Sequence, residues 1–166
     1  VDPSVAAGVR IAVKLRVAED GGFVADTIEI REGETRDEEL RGRIERVDAP
    51  SRRFVLLGLD VGGDETTHLS VEPEGAASWS DLVDGLRVKV DGVRDPQGRF
   101  VARAIRIRES QHDETRIVGT IESIGTTPGG PTILRLLGRP VAVTTSTDLE
   151  TGRGLTRGAL IRSAVI

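Results

Sequence analysis

The chain has 166 residues, 37% of them apolar and 30% charged, with a formal net charge of −4. That balance suits one large or two small cores, and the abundance of Val, Ile and Leu excludes wholesale disorder. No stretch approaches the ~20 apolar residues of a membrane helix, the charge gives no general attraction to nucleic acid or anionic lipid, and a chain without cysteine has no disulfide, thiolate metal site or Cys nucleophile.

In chain order, the first predicted elements are two strands within 8–32, joined by the turn Ala18-Glu19-Asp20-Gly21. A polar linker follows at 34–39. Residues 41–48 and 53–61 read as two further strands joined at Ala49-Pro50-Ser51, and 68–72 as a short third. Ser78 to Asp84 suits one helical turn, capped by Ser78 or Ser80 and stopped before Gly85. Leu86, Val88 and Val90 then alternate with Arg87, Lys89 and Asp91, the period-2 pattern of a half-buried strand. The link Asp95-Pro96-Gln97-Gly98 suits a type I turn, with a left-handed Gly and a bulge as the alternative. It leads into a strand that carries Val101, Ile105 and Ile107 on one face. A second polar linker spans 110–116.

The pattern recurs. Residues 8–32 and 85–109 align without a gap at an offset of 77, with 11 of 25 positions identical, where chance gives about one or two. Leu40 to Glu45 aligns with Ile117 to Glu122 at the same offset, and after an insertion near Pro128-Gly129-Gly130 Gly58 matches Gly138 and Val61 matches Val141. Leu82-Val83-Asp84-Gly85 matches Leu155-Thr156-Arg157-Gly158. The expected organisation is a complete unit at 40–109. It is flanked by the back part of a unit at 1–33 and the front part of one at 117–166. Each complete unit holds about five short strands with a helical insert, which predicts an all-β fold of tandem small OB-like β-barrels; a sandwich of similar strand number is the alternative. Val88, Val90, Val101, Ile105 and Ile107 are the expected core, with Ile11, Val13, Val24, Ile28 and Ile30 as their counterparts. Phe23 and Phe100 occupy one repeat position and are expected to share a burial class, unless one hairpin serves an interface.

The segments Gly42 to Val47, Phe54 to Gly58, Leu82 to Val90 and Gly98 to Ile105 resemble the bacterial domain-of-unknown-function family 5666. The matched positions are mostly turn glycines and core apolars. The resemblance implies tandem copies, export from the cell and no assigned activity. Export is also one of two equal readings of a chain that starts at Val1 and contains no Met; a trimmed expression product is the other. Only two lysines, Lys14 and Lys89, stand against 21 arginines, and Tyr and Asn are absent, the composition of a GC-rich bacterial genome.

Catalytic signals are poor, and no catalytic, cofactor-binding or metal residue is assigned. His68 and His112 are the only imidazoles; both read as solvated loop residues, and the segment aligned with His68, Val143-Thr144-Thr145-Ser146, has no histidine or carboxylate. Asp60, Asp64 and Glu65 offer oxygen ligands for a Ca²⁺-like ion, with surface acids in a turn as the leading reading. No nucleic-acid partner is expected, because single-strand binding needs a basic groove and aromatic platforms, whereas this chain has three Phe and one Trp. Trp79 is expected to cap a barrel end. Any small ligand is left unidentified.

Self-association is the leading expectation. The apolar, proline-free strands at 8–17 and 158–166 are guarded only by Arg10, Lys14, Arg16 and Arg162, and such edges are normally blunted. The assembly residues are therefore taken as Arg10, Ile11, Val13, Lys14, Arg16, Leu160, Ile161, Arg162 and Val165. The expected function is a non-enzymatic exported structural protein whose terminal half-units pair between subunits into a head-to-tail fibre. The alternative is a ligand- or partner-binding module of the cell envelope, closed within one chain.

Overall fold

A computed structural model describes residues 7–31, 37–108, 114–126 and 128–150. Its strands are β1 (Arg10–Val17), β2 (Phe23–Ile30), β3 (Glu38–Asp48), β4 (Arg53–Leu56), β5 (Leu59–Gly62) and β6 (His68–Val71). A 3₁₀ turn (Trp79–Asp81) precedes β7 (Arg87–Arg94), β8 (Phe100–Ile107), β9 (Thr115–Thr126), β10 (Thr132–Leu136), β11 (Arg139–Val143) and β12 (Asp148–Glu150). Contacts divide the chain into a contiguous unit, 35–116, and a discontinuous one, 1–34 with 117–166. β3 and β9 begin inside the segments read as linkers.

In the contiguous unit β3 pairs antiparallel with β4, and β4 with β5. β5 then pairs parallel with β8, β8 antiparallel with β7, and β7 antiparallel with β3. These five strands close a barrel, and β6 adds parallel to β8 outside the ring. The predicted number of strands holds, but its membership differs. Residues 53–61 are a hairpin, because Leu57 and Gly58 both take positive φ, 53° and 76°, the two-residue turn whose twist suits paired strands. A leucine is costly in that conformation. Here its side chain covers the strand opposite, its Cδ2 lying 3.2 Å from where a Cβ on Gly42 would stand. The turn recurs at Leu137-Gly138, with φ of 51° and 73°. The 95–98 link is the left-handed alternative: Gly98 has φ 84°, matched by 85° at Gly21.

Leu40, Ile44, Phe54, Leu56, Val61, Val88, Val90, Phe100 and Ile105 fill the barrel, each such side chain contributing roughly 1.5–3 kcal/mol when fully buried. Val101 is only half-buried. The register of β7 on β8 shifts between Asp91 and Gly92, which face Ala104 and Ala102, so Arg103 is an extra residue that reverses the inward face. Val101 therefore lies opposite to Ile105. Ile107 and Ile30, at strand ends, are also half-buried, whereas Ile11, Val13, Val24 and Ile28 are buried as expected.

The discontinuous unit repeats the ring with strands from both parts of the chain. β9 pairs with β10, β10 with β11, and β11 parallel with β2. β2 pairs with β1, and β1 with β9, where Gly8 N–H donates to Ile121 O and Ile121 N–H to Val9 O, both at 2.8 Å. β12 lies parallel to β2 as β6 does to β8. The half-units thus complete each other within one chain, as a circular permutation of the same barrel. β1 has a neighbour on each side: Ile11 and Val13 point inward and are buried, and Arg16 Nε meets Asp26 Oδ1 at 3.1 Å. Leu160, Ile161, Arg162 and Val165, like His112, lie outside the described residues.

Candidate functional site

One position separates the two barrels. In β7, Gly92 is buried because β8 crosses it closely: a Cβ there would collide with the Val101 carbonyl and stand 2.9 Å from Phe100 Cε1. Phe100 takes that space and is fully buried. The counterpart of Gly92 in β1 is Leu15, which is itself buried. With that volume filled, Phe23 is left half-buried, and the Arg139 guanidinium carbon sits 5.7 Å from its ring centroid. The expected equality of Phe23 and Phe100 fails for this reason.

A second position unites them. Thr67 is buried; its hydroxyl donates to Ala102 O at 2.9 Å and accepts from Asp64 N–H at 3.0 Å. Thr147 does the same with Ala25 O at 2.7 Å and Thr144 N–H at 3.0 Å. This pins the segment after β5, or after β11, to the barrel strand beside it. The structural match sets Thr67 on Thr147, and so His68 on Asp148, each opening its strand.

Polar groups converge on the outer face of the contiguous barrel, in a cleft of about 200 Å³ lined from β4, β5 and the β7–β8 turn. Arg53, Asp60, Asp95 and Arg99 line it, and Gly62 is the register partner of Arg53 on one side and of Val101 on the other. Arg53 Nη1 lies 3.7 Å from Asp60 Oδ2, and Arg99 Nε 3.3 Å from Asp95 Oδ2. Both are longer than the ~2.8 Å of a tight charge-assisted bond. Asp95 is held in place by the backbone N–H groups of Arg99 at 2.9 Å and Gln97 at 3.0 Å, and the bond from Arg99 lowers its pKa. A Cβ on Gly62 would meet ordinary contacts only, the nearest being Arg52 O and Arg53 Cγ at 3.9 Å.

The Ca²⁺-type reading finds no cluster. Asp64 also lines the cleft, but its Oδ1 accepts from the hydroxyl and the backbone N–H of Thr66, and these bonds lower its pKa; Asp60 faces Arg53. Among the described residues no group of three acids or imidazoles is placed to hold a metal ion. Trp79 packs beside Phe54, ring centroids 6.3 Å apart, and fills the space that a side chain on Gly63 would need.

A charged network lies elsewhere on β3 and β7. Arg41 Nε bonds Glu39 Oε2 at 2.8 Å, Lys89 Nζ stands 3.4 Å from Glu39 Oε1, and Arg41 Nη1 3.5 Å from Glu114 Oε2. Burial works to raise the pKa of Glu39, but the Arg41 bond and the charges of Arg41, Lys89 and Arg116 outweigh it, and the net shift is downward. Asp91 moves the other way, through burial and then the nearby charges of Glu39 and Asp37.

A closed five-stranded barrel with a strand bonded outside, and a polar cleft on its outer face, thus defines the class of domain. Residues 41–106 match the family model described as "Domain of unknown function (DUF5666)", which agrees with the family resemblance read from the turn glycines and core positions. No curated protein and no solved structure matches the chain. No helix among the described residues is long and apolar enough to cross a membrane. The sequence singles out Asp60 and Asp64 of the cleft, as cation candidates, and does not bring them together with Arg53, Asp95 and Arg99.

Proposed function

We propose that this chain is a non-enzymatic binding module of two OB-like barrels, closed within one chain and working in the bacterial cell envelope. The observation that carries the reading is the pairing of β1 and β2 with β9 and β11 of the same chain. It occupies the strand edges that a head-to-tail fibre would use. The ring order supports the OB-like assignment, and in OB barrels ligands bind on the face of the second and third strands and the adjoining loops. The cleft lies there, on β4, β5 and the β7–β8 turn. The envelope location rests on the family resemblance, and cell fractionation tests it.

The fibre expected from the sequence would require the β1–β2 hairpin to leave its own barrel and enter the next subunit's. Light scattering over a wide concentration range separates the two. A constant mass of one 17.8 kDa chain supports the closed module, and a mass that grows with concentration overturns it. A Cys pair at Thr27 and Asp148, register partners on β2 and β12, adds a covalent readout in a chain otherwise without cysteine. Monomers on a non-reducing gel are expected; ladders of multimers favour the fibre.

A further inference from the structure

We infer that the cleft of the contiguous barrel takes one pyranose ring of a neutral glycan; this rests on the binding-module reading. The first argument is size. At about 200 Å³ the space falls below the ~300 Å³ lower end of drug-sized pockets, a size that suits one sugar ring.

The second is the arrangement of donors and acceptors. The cleft twice sets a guanidinium beside a carboxylate, Arg53 with Asp60 at 3.7 Å and Arg99 with Asp95 at 3.3 Å. A hydroxyl both donates and accepts, so a vicinal diol satisfies guanidinium and carboxylate together, whereas an oxyanion answers only the arginine and meets the aspartate as a like charge. Arg53, Asp60 and Arg99 are about half-exposed while Asp95 is anchored by backbone N–H groups. Surface pairs of this kind contribute only about 0–1 kcal/mol, so swinging the two arginines to admit hydroxyls costs little.

The third is charge. Arg53 and Arg99 face Asp60, Asp64 and Asp95 around the cleft, and the chain carries a net −4, which gives a polyanion no attractive field. The fourth is access: Gly62 leaves backbone bare between Arg53 and half-buried Val101, where the C–H face of a ring can lie flat. The other barrel lacks the set. Ile133, Pro140, Ala18 and Gly22 stand at the positions of Arg53, Asp60, Asp95 and Arg99, so the stoichiometry is one site per chain.

The test is titration of the full ¹⁵N-labelled chain with maltotetraose, cellotetraose and chitotetraose, and separately with alginate oligomers and oligo-dT. The expected result is saturable one-to-one binding of a neutral oligosaccharide that moves the Gly62, Gly63 and Val101 amides. Gly62→Ala, whose added Cβ meets ordinary contacts only, should weaken it at least about tenfold at an unchanged melting temperature, and Ile133→Arg in the other barrel should leave it unaltered. Unchanged affinity in Gly62→Ala overturns the assignment. Cleft shifts with alginate or oligo-dT alone overturn the neutral glycan and leave the binding-module reading standing, and silence from every probe overturns the glycan while the mass measurement decides the module separately.

Discussion

The two barrels share a strand order and differ in how one volume is filled. In the contiguous barrel a glycine, Gly92, yields space to Phe100; in the permuted barrel Leu15 fills that space itself and Phe23 is pushed half out, beside Arg139. The outer faces differ in step with this. One presents two guanidinium–carboxylate pairs, and the other presents Ile133 and Pro140 at the matching places. Duplication has kept the ring and its latches while core and outer face diverged together, so equivalence of position between repeats guarantees equivalence of backbone and nothing more.

The largest test of that contrast is a pair of truncations. Phe100→Ala should cost about 3–5 kcal/mol in denaturant unfolding, as for a fully buried aromatic, while Phe23→Ala should cost about 1 kcal/mol; equal losses would break the comparison. Gly92→Ala should cost about 3 kcal/mol, because the added Cβ meets the Val101 carbonyl and the Phe100 ring. A neutral outcome would mean that this crossing relaxes freely and that Leu15 needs no special room. Thr67→Val and Thr147→Val probe what the barrels share. Each should lower stability by about 2 kcal/mol through a carbonyl and an N–H left without their hydroxyl, and a clear inequality would show that one latch is slack.

The smallest effect is one of pH. Since the carboxyl of Glu39 titrates below its ordinary range in the folded state, its contribution is complete above the unfolded pKa and is lost as pH falls through the folded one. Glu39→Gln should therefore destabilise by about 1 kcal/mol at pH 7. The gap to the parent protein should close below about pH 4, as read from melting temperatures across the range.

Much of the ring was legible in the sequence, because strand periodicity and turn glycines repeat at fixed offsets. The β4–β5 turn was missed since Leu57-Gly58 lacks the Asn or Asp that marks such turns; its left-handed leucine is held by tertiary packing on Gly42. A period-2 count puts Val101 on the face of Ile105, because the bulge at Arg103 leaves no mark in it. The threonine latch was hidden by aligning Asp64 to His68 with residues 143–146, when Thr67 belongs with Thr147. Comparing Gly92 with Leu15 would have warned that Phe23 and Phe100 differ, since a side chain and a glycine cannot leave the same hole. The charged cleft would have emerged from the unlike positions of the same alignment.

The permuted barrel also sets an order of events during synthesis. The Thr147 latch joins residues 122 apart in sequence, against 35 for Thr67. Closure entropy rises with loop length and non-local pairing is slow, so the contiguous barrel is the natural first folding unit. Its completion sets the two ends of that unit side by side, through the Arg41–Glu114 contact at 3.5 Å, and so shortens the loop that the other barrel must close. Until residues beyond 117 leave the ribosome, β9 and β11, the strands that β1 and β2 pair with, are not yet made. At ~5–20 residues per second that interval is on the order of ten seconds, during which the hairpin lacks these partners. In a crowded nascent pool, this is the window in which a chaperone or a neighbouring copy would meet it.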